Sequence, residues 1–91
     1  MNLNQRFAIS EEVICQVLED ESVLLDLASE NYLGLDGVGT RIWQLIDGGE
    51  TLQSIVATVL DEYDSDEDTV IRDLDKFLHD LQAQGLITSV G

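Results

Sequence analysis

The chain has 91 residues, 44% of them hydrophobic and 25% charged. Those values fit one small domain spanning 1–91 and exclude wholesale disorder. Nineteen Asp and Glu stand against four Lys and Arg, for a net charge of −15. That balance excludes a DNA, RNA or anionic-membrane surface, each of which needs clustered cations.

The elements follow in chain order. Phe7-Ala8-Ile9 is a short lead-in that adds an edge strand. Val13, Cys15 and Val17 alternate with Ile14, Gln16 and Leu18, the pattern of a half-buried strand. After the polar turn Glu19-Asp20-Glu21, Val23, Leu25 and Leu27 alternate with Ser22, Leu24 and Asp26. A second turn, Ala28 to Asn31, leads into Tyr32-Leu33-Gly34-Leu35. Together these strands predict an antiparallel meander. After Asp36-Gly37 the period changes to three and four: Val38, Ile42, Trp43, Leu45 and Ile46 form a helix stopped at Gly48-Gly49. Thr51 caps a second helix with Leu52, Ile55, Val56, Val59 and Leu60 on one face. Ser65 or Asp66 caps a third, which runs through Leu74 and Leu81 to Gly85, a left-handed terminator, and Leu86-Ile87-Thr88 follows as a tail or strand. The expected fold class is therefore α+β: a three-stranded antiparallel sheet, then three helices, in a winged helix-turn-helix-like arrangement.

Little in the chain points to catalysis, and an enzyme is not expected. Cys15 is the single cysteine, too few for a disulfide or a cysteine zinc site, and it suits a reducing cytoplasm. No N-terminal segment has the basic-then-apolar order of a signal peptide, and no apolar run reaches the ~18 residues of a membrane span. The lone His79 sits on the flank of the third helix with no second ligand or nucleophile in its pattern. No P-loop lysine follows Gly34, Gly37 or Gly39, and no cofactor is expected. Six acids fall between Asp61 and Asp68, with Asp64, Asp66 and Asp68 spaced like the start of a calcium loop. Thr69 then stands where such a loop turns on Gly, and Asp75 where it takes a bidentate Glu. Acids in a helix's first turn account for the same residues, so no metal site is expected. Acyl-carrier function fails because neither Asp64-Ser65-Asp66 nor Glu21-Ser22-Val23 supplies Asp-Ser-Leu at a helix start.

The third helix carries more apolar residues than one face requires. Ile71, Leu74, Leu78 and Leu81 make a stripe, and Val70 and Phe77 widen it sideways. Either the helix is wedged with both flanks buried, or it leaves a cleft beside the last strand of the meander. An open strand edge beside an apolar cleft suits a peptide that adds as a further strand. Gly34 fits either a bulge or a close backbone approach.

The run Asn31-Tyr32-Leu33-Gly34-Leu35-Asp36-Gly37-Val38-Gly39-Thr40-Arg41-Ile42-Trp43 resembles the strand-to-helix signature of PqqD-like proteins. Gly48-Gly49-Glu50-Thr51-Leu52, Glu62-Tyr63-Asp64, Asp73 to Leu78, Leu81 and Gly85-Leu86-Ile87 follow in that family's order, so the likeness covers roughly residues 7–88. The resemblance implies a non-catalytic element that recognises the leader region of ribosomally made precursor peptides. Within that group the chain looks most like the free-standing recognition proteins of lasso-peptide pathways, whose partner is a separate leader peptidase, a cysteine protease. Asp36 departs from the Asn usual in PqqD itself, which argues against a PqqD-type chaperone for a radical enzyme, the alternative reading. The resemblance places the leader along Asn31, Tyr32, Leu33, Gly34 and Leu35, with Val70, Leu74 and Phe77, and Leu33 or Tyr32 depending on register, lining the apolar pocket. Asp73 and Asp66 would complement basic leader residues. It also implies a monomer or strand-swapped dimer. On this reading Phe77→Asp or Leu74→Arg abolishes leader binding and leaves the fold intact. A winged-helix regulator would need a basic third helix, but Asp66, Glu67, Asp68, Asp73, Asp75 and Asp80 outnumber Arg72 and Lys76 there.

Overall fold

A computed structural model describes residues 2–90. The element order is β1 (Arg6–Ile9), β2 (Val13–Leu18), β3 (Glu21–Asp26), β4 (Asn31–Leu35), α1 (Gly37–Asp47), α2 (Leu52–Glu62), α3 (Glu67–Ala83) and β5 (Ile87–Val90). Strands β2, β3 and β4 form the antiparallel meander, in that spatial order. Its register places Ile14, Leu25 and Tyr32 opposite one another in one row, and Cys15, Leu24 and Leu33 in the next. Because side chains alternate across a strand, the second row faces the helices and the first faces away. Leu24 is fully buried, Cys15 and Leu33 pack against the core, and Ile14, Leu25 and Tyr32 are exposed.

The lead-in strand does not extend the meander. β1 pairs antiparallel with β5 in a separate two-stranded sheet, from Arg6 opposite Val90 to Ile9 opposite Ile87. The Ser10 N–H continues the pairing by donating to the Leu86 carbonyl at 3.0 Å. After α3 the chain returns beside its own start, where the backbone polar groups of each segment satisfy the other's. Periodicity cannot detect such a pairing between the two ends. Phe7, Leu86 and Ile87 enter the core through it.

The helices begin and end where local chemistry directs. The Asp36 carboxylate accepts from the Gly39 N–H at 2.8 Å, and the Thr51 hydroxyl accepts from the Ser54 N–H at 3.2 Å. The Leu3 and Gln5 carbonyls accept from the Gln53 and Leu52 N–H groups, completing the start of α2. Gly49 and Gly85 hold φ of +79° and +72°, left-handed stops after α1 and α3. Ile42, Trp43 and Ile46 of α1 are buried among Ile55 and Val59 of α2 and Leu74, Leu78 and Leu81 of α3, with Leu45 packed against them. A buried hydrogen bond of 2.7 Å between the Ser22 and Thr40 hydroxyls ties β3 to α1, so neither polar group is stranded in the core. Arg41 pairs with Glu62 through two contacts of 2.9 Å and staples α1 to the end of α2 at the surface.

Asp66, rather than Ser65, caps α3, accepting from the Thr69 N–H at 2.7 Å. Hydrogen bonds from the Thr69 backbone and side chain hold its carboxyl below the usual value of 3.8. A depressed folded-state pKa adds stability above the unfolded-state value, and that stability is lost as pH falls through the folded one. Asn caps as well as Asp but does not titrate. The melting temperature of wild type is therefore expected to exceed that of Asp66→Asn at neutral pH. The gap should close as pH falls from the ordinary carboxylate range through the lower folded-state value, as followed by thermal denaturation. A gap independent of pH would mean that the charge of Asp66 does not contribute.

Candidate functional site

The meander ends on an open edge. One side of the β4 backbone pairs with β3, from Leu35 opposite Ser22 to Asn31 opposite Asp26, and no strand among the described residues pairs with the other. Beside that edge lies a groove of about 670 Å³ between β4, the start of α1 and one face of α3. Leu33 forms its strand wall above Leu35, Val38 and Ile42 its α1 end, and Phe77 its α3 wall above Val70 and Leu74. A smaller hollow of about 340 Å³ continues along β4 toward the end of α3, lined by Asn31, Leu33, Ala83 and Leu86. Leu33 borders both, so an extended chain on the β4 edge passes from one to the other.

The expected site residues fall in several different positions. Leu33 and Phe77 are half-buried on the walls, where part of each side chain is open to an occupant. Val70, Leu74 and Leu35 are buried at 6%, 1% and 5% exposure, so they are the floor of the groove and also part of the core. Asp73 lies exposed on the α3 lip beside Lys76 and Asp80. Tyr32 is 78% exposed and alternates with Leu33, which turns its ring to the far face of the sheet. Its backbone belongs to the edge, and Tyr32 borders the smaller hollow but is not among the residues that line the larger groove. Asn31 is exposed at the entrance of the strand. Asp66 is engaged as a helix cap. The α3 stripe also differs from the periodicity reading: Val70 is buried and Ile71 only partly so. Both choices satisfy a helical period, and neighbours on two sides of α3 decided between them.

Val38 and Ile42, on the wall formed by α1, complete the groove and were assigned only to the first helix by sequence. Only Asp36 separates β4 from α1, which sets the first turn of the helix against the end of the strand, and no spacing rule reports that closeness. At Gly34 the strand is paired opposite Val23 without a bulge, and a Cβ there would meet nothing within 4 Å. Gly34→Ala is therefore expected to keep the fold and to raise stability by up to about 1 kcal/mol through reduced unfolded-state freedom. Urea denaturation measures the change, and a loss of stability would point to a backbone need not visible in the strand.

The groove holds no catalytic constellation. His79 is on the exposed flank of α3, its ring nitrogen against the Asp75 carbonyl at 2.8 Å. Among the described residues, no three His, Cys, Asp or Glu side chains are placed to hold a metal ion. No helix among the described residues is long and apolar enough to cross a membrane. What the geometry offers is an unpaired strand edge, apolar walls and a lip carrying Asp73, Asp80 and Lys76, a combination suited to holding an extended peptide.

Comparison with known proteins adds three findings. Residues 21–87 match the family described as coenzyme PQQ synthesis protein D (PqqD). The structure of TbiB1 in complex with the TbiA(beta) leader peptide is similar at 43% identity, covering 87% of this chain and 92% of that one, with a TM-score of 0.83. The structure of lasso peptide synthetase B1 complexed with the leader peptide shares 22% identity over 91% of this chain and 98% of that one. Its TM-score of 0.83 shows the same winged helix-turn-helix-like fold. No curated protein matches the chain.

Proposed function

The chain belongs to the PqqD family, and from that premise we propose that it binds the leader region of a ribosomally made precursor peptide, without catalysis, and presents it to a separate leader peptidase. The leader adds as a strand on the free edge of β4 and sets apolar side chains into the groove between β4 and α3. The observation that carries the reading is the coincidence of that unpaired edge with an open apolar groove. An edge alone invites any strand, and a groove alone any apolar ligand. Together they select an extended peptide with apolar residues at alternate positions. The 43% identity to TbiB1, a protein seen with a leader peptide, supports the same ligand class.

Leu33, Leu35, Val38, Val70, Leu74 and Phe77 supply the apolar contacts, and the β4 backbone supplies hydrogen bonds that do not depend on leader sequence. A chain of net charge −15 attracts basic leaders and speeds their encounter more than it adds affinity. The lasso-peptide setting and the cysteine peptidase partner rest on the likeness of residues 31–43 to free-standing recognition proteins. Asp36 no longer bears on that choice. It works here as the α1 cap, a bond that the Asn of PqqD could accept equally well.

The test is fluorescence anisotropy of labelled leader peptides from lasso precursors titrated with the purified chain, with a scrambled peptide as control. Saturable binding lost on scrambling is expected. Equal binding of both peptides, or of neither, would overturn the proposal.

A further inference from the structure

The face of the meander turned away from the helices is apolar at its centre. Ile14 on β2, Leu25 on β3 and Tyr32 on β4 stand opposite one another in register, and they are 51%, 37% and 78% exposed. Val23, half-buried, follows in the next row. This row crosses the whole sheet on the side opposite the groove. A lone exposed apolar residue is ordinary, whereas one contributed by each of three adjacent strands makes a continuous patch.

The charge around the patch states what can cover it. Residues 10–40 contain Glu11, Glu12, Glu19, Asp20, Glu21, Asp26, Glu30 and Asp36 and no Lys, Arg or His. The turns at both ends of the meander are therefore acidic without exception. A second copy would bring one acidic rim against another, with −15 on each chain. Nucleic acid and anionic lipid are repelled for the same reason. A protein patch that is apolar at its centre and ringed by Lys and Arg meets both features.

We infer that the outer face of the β2-β3-β4 sheet, centred on Ile14 and Leu25, is the docking surface for the enzyme that acts on the held peptide, and that this enzyme presents a basic-rimmed apolar patch. The identity of the partner rests on the peptide-binding reading; the patch and its rim do not. Groove and patch lie on opposite sides of one sheet, so the domain can hold peptide and enzyme together, with β4 shared only through its backbone and the Tyr32 ring.

The experiment uses the full chain, a labelled leader peptide and the purified peptidase encoded with that peptide's precursor. Two double variants are compared with wild type: Ile14→Glu with Leu25→Glu, and Ile14→Thr with Leu25→Thr, the latter keeping strand-forming residues at both positions. Neither position touches the groove. Both variants are expected to bind leader with wild-type affinity by anisotropy and to bind the peptidase at least tenfold more weakly by biolayer interferometry. The wild-type association rate with the peptidase should fall several-fold as salt is raised. Unchanged peptidase affinity in a folded variant would overturn the inference, as would wild type that binds leader but no peptidase. So would leader binding lost along with peptidase binding, or a wild-type dimer that the variants convert to monomer. Wild type that fails to bind leader counts instead against the function proposed above.

Discussion

Phe77→Asp is expected to weaken leader binding by a hundredfold or more and to leave the domain folded. Phe77 is half-buried on the α3 wall of the groove, so its ring is packed on one side and available on the other. Filling such a pocket with an apolar leader residue removes water from both surfaces, which is worth about 1.5–3 kcal/mol per large side chain. The aspartate forfeits that contact and also places a charge where the bound leader would strip its water, a further cost of several kcal/mol for an unpaired carboxylate. A hundredfold change corresponds to about 2.7 kcal/mol, within reach of these two effects. Without leader the new carboxylate faces solvent, so the fold is spared. Anisotropy with a labelled leader peptide reads the affinity, and circular dichroism reads the fold. A folded Phe77→Asp protein that binds leader normally would remove the groove from the proposed function.

Leu74→Arg, three residues away on the same helix, is expected to fail to fold. From sequence the two substitutions look alike, both on the widened apolar face of α3 and both sparing the fold. The structure separates them: Leu74 is 1% exposed and lies beneath the groove as part of the core. Losing a buried leucine costs about 2–5 kcal/mol. Burying an unpaired guanidinium in its place adds several more. A domain of this size has roughly 5–14 kcal/mol of total stability, so the sum consumes most or all of it. Trp43, the single tryptophan, is 4% exposed and reports the outcome. Its emission should be red-shifted in Leu74→Arg before any denaturant is added. Leu74→Ala should remain folded, with a melting temperature lower by about 8 °C or more. Native emission and a cooperative melt for Leu74→Arg would show that the site opens to solvent more than its burial allows. Because an unfolded variant loses leader binding trivially, Leu74→Arg does not test the site.

That contrast shows where sequence reading reached its limit. The meander, the three helices, the cap at Thr51, the cap of α3 to within one residue (Ser65 or Asp66) and the stops at Gly48-Gly49 and Gly85 were legible because each is decided within a few residues. Alternation, a 3.6-residue period and a side chain bonding the N–H two or three positions on are local signals. The groove was legible in part: the surplus of apolar residues on α3 pointed to a cleft, and the resemblance to PqqD-like proteins pointed to the neighbouring strand. Val38 and Ile42 escaped because a helix periodicity does not say which neighbour lies across its face. The pairing of β1 with β5 escaped for a related reason, since its two strands lie at opposite ends of the chain.

The sequence by itself determined the meander and the three helices, a net charge of −15, and which family the chain belongs to. Only the tertiary structure decided that Leu74 is floor while Phe77 is wall, that the Tyr32 ring leaves the groove for the outer face, and that the outer edge of β4 pairs with no strand among the described residues. The physical reason is range. Propensity, capping and charge act between near neighbours or sum over the whole chain, whereas burial and edge pairing depend on which distant segments fold back to cover a given surface.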